Sequence, residues 1–292
     1  MDTEKCRAIL CAIEMGSLSA AADKLGYTTS GISRMVHSME EKTGFLLLIR
    51  SRLGVAPTGE CRRLLPLWRK LLRYEERCLQ LAAEIRGLET GSITIGSAYP
   101  AYYHSLSEII AEFSRQHPGI EIRILEGNST QLSRALEEQR MDFCIISWRE
   151  GDFNWTPLRE DPLVAWVPPD SSFSKRKRFP VRDFSRVSYI ETYPEQDTDN
   201  ARMFARMRVT PNTCFASTDS YATYSMVAAG LGVSLNNSLT ASSWSDRVKI
   251  LPLDPPQTVE IGIATPRGDM ISQAARRFLE LAKDRINQAS CL

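Results

Sequence analysis

Histidine is scarce: the 292 residues hold only three, at positions 37, 104 and 117. None stands at metal-ligand spacing from another or from a cysteine, which argues against a structural zinc site. The seven cysteines (6, 11, 61, 78, 144, 214 and 291) form no Cys-x-x-Cys pair. That pattern suits buried thiols in a reducing compartment better than a disulfide framework. No apolar run reaches the ~20 residues that span a bilayer. The opening "MDTEKCRAILCAIEMGSL" is charged from its second residue and has no small-residue cleavage site after an apolar run, so no signal peptide is read and a cytoplasmic protein is expected. A G-x-S-x-G elbow, a Walker-type loop and an isolated base-plus-nucleophile pair are missing too, so neither an enzyme nor a cofactor is expected. "GLG" at 230–232 ends a helix and precedes a strand, the reverse of a dinucleotide fingerprint, and reads as a helix C-cap.

Net charge is nearly absent, at +1 from 36 Lys/Arg and 35 Asp/Glu. Its distribution is uneven. Residues 1–90 carry 14 basic and 11 acidic side chains, and "RSRLGVAPTGECRRLLPLWRKLLR" has seven basic against one acidic. Fields act over a Debye length of ~10 Å, so a local basic patch matters more than the total. Near-neutrality therefore does not exclude nucleic acid. The run "SKRKRF" at 174–179 reads as a solvated surface loop.

What is present begins with three short amphipathic segments. Cys6, Ile9, Leu10 and Ile13 share one helical face that ends at Gly16. Ser17 can cap a second helix bearing Leu18, Ala21, Ala22 and Leu25, closed by Gly26. A third, capped by Thr28 or Thr29, has Ile32, Met35, Val36 and Met39 on its apolar face. The opposite face is Ser30, Ser33, Arg34 and His37, with Thr29 and Ser38 at its margins. Such a face is either an ordinary solvated one or a DNA-reading one, since hydroxyls bind phosphates and Arg reaches a base edge or a phosphate. After Gly44, "FLLLIRSRLGVAP" predicts a two-stranded wing carrying Arg50 and Arg52. A long helix from Thr58 to about Leu88 follows. On it Leu67, Leu71, Tyr74, Cys78, Leu81, Ile85 and Leu88 alternate spacings of four and three, a seam that suits a dimer partner.

The order of "SLSAAADKLGYTTSGISRMVHSMEEKTGFLLLIRS", "APT" and a long helix resembles the N-terminal domain of LysR-type transcriptional regulators. The likeness runs through Ala20-Ala21-Ala22, Leu25, Ser30, Ile32-Ser33, Glu40, Gly44, Leu47, Arg50 and Pro57-Thr58, and continues in outline through the chain. It implies DNA contacts at Thr28, Thr29, Ser30, Ser33 and Arg34, with Arg50 and Arg52 in the wing. The sequence departs from the family pattern at Gly31, at Leu46 and Ile49 in the wing, and at Cys61 early in the linker helix.

From Gly91 strands alternate with helices, which predicts βαβ units and largely parallel sheets. Strands are read at 92–98, 120–127, 142–147, 163–168, 187–192, 213–217, 232–236, 248–251 and 259–264. Helices are read at 101–116, 130–139, 199–207, 219–229 and 269–287. Residues 151–162 and 265–268 would cross between two lobes, returning the last helix to the first. This α/β pattern resembles the family's two-lobed, periplasmic-binding-protein-like effector domain. The expected division is a winged helix-turn-helix at 1–57, a linker and dimerisation helix at 58–90, and an effector-binding domain at 91–292. Within the last, lobe I covers 91–162 and 267–292 and lobe II covers 163–266.

Ligands in open α/β sheets bind at strand C-terminal ends, against helix N-termini that favour anions. The candidates there are Ser97, Tyr99, Ser129, Thr130, Trp148, Thr218 and Asp219, although Ser and Thr at such junctions also serve as plain caps. The resemblance supports Ser97 and the Ser129-Thr130 pair most. Asn236-Asn237 could face the cleft or cap a turn. The expectation is a DNA-binding regulator, a homodimer or homotetramer, that senses a small and possibly anionic effector. Tyr99, Trp148 and Tyr193 would suit an aromatic one. The alternatives are redox sensing through Cys144 and Cys214, both read in strands rather than in exposed loops, and a plain solute-binding module.

Overall fold

A computed structural model describes residues 2–51, 54–85, 90–242, 247–268 and 271–289. The chain divides into two units, Met1–Thr90 with Glu138–Arg140, and Gly91–Glu137 with Met141–Leu292. In the first unit, helices α1 (Thr3–Met15), α2 (Leu18–Leu25) and α3 (Thr29–Thr43) precede strands β1 (Leu48–Ser51) and β2 (Gly54–Pro57), then the long helix α4 (Gly59–Ile85). The helices start on side-chain caps that satisfy free N–H groups: Asp2 accepts from Lys5 N, Ser17 from Ala20 N, and Thr28 from Gly31 N. Their apolar faces meet in a core of Ile9, Ala22, Ile32, Val36, Met39, Leu47 and Trp68.

Two contacts set the hairpin against this core. Glu40 Oε1 accepts from Leu47 N at 2.8 Å and Leu48 N at 3.4 Å, fixing the chain as it enters β1. Val55 N donates to Gly16 O at 2.9 Å. Gly54 has φ +115°, and a Cβ there would lie 2.5 Å from Gly16 O, so only glycine fits. Pro66 sits inside α4 and removes the N–H that would bond the Arg62 carbonyl. Along α4, Leu67, Tyr74, Cys78 and Leu81 are exposed, while Leu71 is half-buried against the core. The side chain of Ile85 and the whole of Leu88 lie outside the described residues.

The second unit is built on β3 (Gly91–Ser97), α5 (Tyr103–Gln116), β4 (Ile120–Glu126), α6 (Ser129–Glu137), β5 (Phe143–Ser147), β6 (Phe153–Val167), β7 (Phe179–Pro180), β8 (Tyr189–Thr192), α7 (Asp199–Met207), β9 (Thr213–Ser217), α8 (Ser220–Ala228), β10 (Ser234–Asn237), α9 (Ser238–Ser242), β11 (Lys249–Asp254), β12 (Thr258–Pro266) and α10 (Gln273–Ala289). The main sheet runs β4-β3-β5-β12-β6-β11-β7, with β10 also on β6, and β8 pairs with β9 apart from it. The halves form around separate cores. One gathers Ile95, Phe113, Phe143 and Phe278, so α10 packs beside α5, with the Phe113 and Phe278 rings edge to face at 5.3 Å. The other gathers Leu163, Phe179, Phe184, Tyr189 and Phe204.

Two expectations are corrected. The sheet is mixed rather than largely parallel: β3 is parallel to β4 and β5, but β12 is antiparallel to both β5 and β6. The crossing at 153–162 is not a loop but the first part of the 15-residue strand β6. Pro157 and Pro162 are residues that ordinarily disfavour a strand. The ladder accommodates Pro157 where its register shifts opposite Ile261 and Gly262, an irregularity that no simple alternation of residues announces. The short helix α9 was not anticipated either.

Candidate functional site

On α3, Thr29, Ser30, Arg34 and His37 are exposed and Ser33 is half-buried, beside the buried Ile32, Val36 and Met39. The Thr28 hydroxyl accepts from Gly31 N at 3.0 Å and lies 3.1 Å from Ser30 Oγ, so it caps the helix as it sits at its exposed end. Arg50 reaches from β1 to Ser33, Nη2 donating to Oγ at 3.3 Å. Helix face and hairpin thus present one continuous polar surface. His37 and Glu41 lie 3.3 Å apart on its outer edge. Arg52 lies outside the described residues.

In the second unit a cavity of about 220 Å³ opens between the two halves. Ser97, Tyr99, Ser129 and Asp219 line it; Thr130, Trp148 and Thr218 do not. Ser97, at the end of β3, spends its hydroxyl on the Tyr99 carbonyl and amide. Asp219 caps α8 through Ala222 N. Trp148, 50% exposed, lines a second cavity of about 460 Å³ with Arg202 and Arg206, which shares Arg149 and Asp199 with the first. Thr218 is exposed. Asn236 and Asn237 both reach the first cavity, and Asn236 Nδ2 is buried there without a hydrogen-bond partner among the described residues.

The centre of the cleft is a group that sequence reasoning missed. Arg149, just past β5, is buried, with its side chain 4% exposed. Its Nε donates to Thr130 Oγ1 at 2.8 Å, and Nη1 to Ser147 Oγ at 2.7 Å and the Trp148 carbonyl at 2.9 Å. Its Nη2 donates to Asp199 Oδ1 at 2.9 Å. Asp199 opens α7 on the other half and also accepts from Ser147 Oγ at 2.6 Å and, on Oδ2, from the Tyr99 hydroxyl at 3.1 Å. Burial, then the nearby Asp199 charge, pushes the Tyr99 phenol well above its usual range, so it remains a donor. Around this group Thr130 Oγ1 donates to the Asp197 carbonyl at 2.8 Å, and the Ser129 hydroxyl accepts from Ser147 N at 3.0 Å. The only signal in the sequence is the place of Arg149 just after a predicted strand; Asp199 comes from 50 residues away.

Other carboxylates have distinct settings. Arg202 pairs with Asp197 through both nitrogens at 2.7 Å and holds that carboxyl down at about 2. Asp161, on β6, accepts from Leu239 N, and burial pushes it up to about 6. Of the two cysteines considered for redox sensing, Cys144 is fully buried and burial pushes its thiol far up, away from the reactive thiolate. Cys214 lies on β9 as read but is exposed, not enclosed. Among the described residues no helix is long and apolar enough to cross a membrane.

Residues 3–62 match the family described as bacterial regulatory helix-turn-helix protein, lysR family, and residues 86–287 match the LysR substrate binding domain. Among curated relatives, the HTH-type transcriptional regulator YvbU of Bacillus subtilis (strain 168) is 24% identical over 274 residues, covering 93% of this chain and 94% of its own. The probable HTH-type transcriptional regulator LrrA of Synechococcus elongatus is 26% identical, covering 97% of each. Among solved structures, a full-length OxyR variant from Pseudomonas aeruginosa aligns with a TM-score of 0.70 at 20% identity over 98% of both chains. Full-length CbnR in complex with its target DNA aligns at 0.62 and 16% identity, over 98% of this chain and 100% of its own. At such identities these structures share the fold.

Proposed function

The chain belongs to the LysR family of bacterial transcriptional regulators, a helix-turn-helix DNA-binding unit joined to a substrate-binding effector domain, and from that premise we propose how its surfaces divide the work. The winged helix-turn-helix is residues 1–57, residues 58–90 are the linker and dimerisation helix, and residues 91–292 are the effector domain. DNA is read by Thr28, Thr29, Ser30, Ser33, Arg34 and His37 on α3, with Arg50 and Arg52 from the wing. The observation that carries this is the Arg50–Ser33 contact, which joins wing and helix face into one polar surface. Backbone contacts from the hydroxyls would set register, and Arg34 would read a base edge or a phosphate. Two such surfaces come from self-association through Leu67, Leu71, Tyr74, Cys78, Leu81 and Ile85 on α4, giving a dimer or a tetramer. Acting on DNA puts the site of action in the cytoplasm. The relatives are described as regulators, and no catalytic activity is proposed.

The effector enters the cavity between the lobes and carries an anionic group, supported by the Ser129 hydroxyl and by the donors of Tyr99 and Arg149 that line it, with Ser147 bonded to the same carboxylate beside them. Coupling requires that it bind the available lobe arrangements with different affinity. The DNA assignment is tested by gel retardation on the protein's own upstream region. Ser33→Ala with Arg34→Ala is expected to weaken binding at least ~10-fold, each lost contact being worth about 1–3 kcal/mol. Unchanged affinity in a folded double variant sinks the assignment.

A further inference from the structure

The carboxylate of Asp199 sits in the cleft in the manner of a bound ligand. Every donor it receives comes from the opposite lobe: Tyr99 from the end of β3, Ser147 and Arg149 from the end of β5. The ion pair is buried, the two side chains being 4% and 11% exposed. The segment leading to Asp199 is held in unusual backbone: Tyr193 and Glu195, neither a glycine, have φ of 58° and 61°. Thr130 fastens the same segment through the Asp197 carbonyl.

The donor geometry selects a ligand class. One oxygen takes Ser147 and Arg149, the other takes Tyr99, so each oxygen of a planar two-oxygen acceptor finds a donor. A tetrahedral oxyanion would bring further oxygens with no donor here. Arg149 is the only cation among the described residues lining the cavity, which also holds Glu126 and Asp219, so an incoming anion finds its counter-ion already engaged. Asn236, 6% exposed on the same wall, offers an amide donor with no partner among the described residues to any ligand reaching past the pair.

We propose that Tyr99, Ser147 and Arg149 form a carboxylate-receiving site, that Asp199 is its intramolecular occupant, and that a carboxylate-bearing effector binds by displacing Asp199 from it. This rests on the reading of the cleft as an effector site and adds what the ligand's head group is and what it replaces.

The probe is acetate, acting on full-length protein. Asp199→Ala leaves the Arg149 charge buried and uncompensated, which is expected to lower the melting temperature by about 5–10 °C. Acetate should restore it saturably, chloride and sulfate at equal ionic strength should not, and the wild type should not distinguish acetate from chloride. The response should vanish in Asp199→Ala/Arg149→Gln. Acetate acting no better than chloride on Asp199→Ala, or acting equally after Arg149 is removed, overturns the proposal. If Asp199→Ala does not fold, Asp199→Asn keeps the shape without the charge. Hydrogen exchange at 143–149 and 199–207 is then expected to quicken and be slowed again by acetate; exchange indifferent to acetate overturns the proposal. Acetate rescue in a protein whose DNA retardation answers to no carboxylate would leave the receiving site standing and remove the effector reading. A carboxylate that alters wild-type DNA binding, with no rescue of Asp199→Ala, would do the reverse.

Discussion

Gly31 stands third in a helix, where glycine costs up to ~1 kcal/mol against alanine in an interior position. A Cβ there would lie 3.1 Å from Thr28 Oγ1, the hydroxyl that caps this same helix through Gly31 N. Cap and side chain compete for one space, and a cap is worth ~1 kcal/mol. Gly31→Ala is therefore expected to leave the melting temperature essentially unchanged. A rise of ~4 °C or more, as propensity alone promises for a small domain, would show that the cap yields freely. This cause was hidden because the chain displays a glycine but not the direction of a neighbour's hydroxyl. Arg149 was hidden differently. Its partners Thr130, Ser147 and Asp199 converge only after β5, α6 and α7 are assembled.

Among the elements, those with a local signature were the readable ones. The periods of α1 to α3 and their Ser17 and Thr28 caps are written within a few residues each, and the helices start there. The stripe on α4 is local too, and its exposed Leu67, Tyr74 and Leu81 remain an apolar surface without cover in the single chain. Leu81→Glu is expected to weaken self-association by roughly 100-fold, taking ~3 kcal/mol for a desolvated, unpaired charge. Sedimentation across a concentration series checks this, and unchanged association would move the interface off this stripe. Strand β6 was only half legible. Its apolar end 163–167 reads as a strand, but its first ten residues carry two prolines and four charged or amide side chains. Their pairing is decided by β12, about a hundred residues later.

At the scale of the whole molecule, β6 and β12 are the shared members of both lobes. Asp161 lies on that ribbon, and burial raises its carboxyl from 3.8 to about 6. The folded chain therefore holds this proton more tightly than the unfolded chain does. Stability should fall as pH rises from about 4 through about 6, by on the order of 2 kcal/mol, and be regained on acidification through that window. Asp161→Asn, which keeps an acceptor for Leu239 N, should remove this slope from the difference between two denaturation series run at pH 4 to 7. An unchanged slope would assign the effect elsewhere. The ribbon also has a mechanical meaning. Two strands bonded from Phe153 opposite Pro266 to Pro162 opposite Thr258 resist stretching and sliding but yield to torsion. Torsion is the motion such pairing opposes least, and filling the cleft is expected to register as a change in the ribbon's angle of twist. Adding or deleting one residue in either strand would reset that angle, since a slip of one turns every later side chain to the other face.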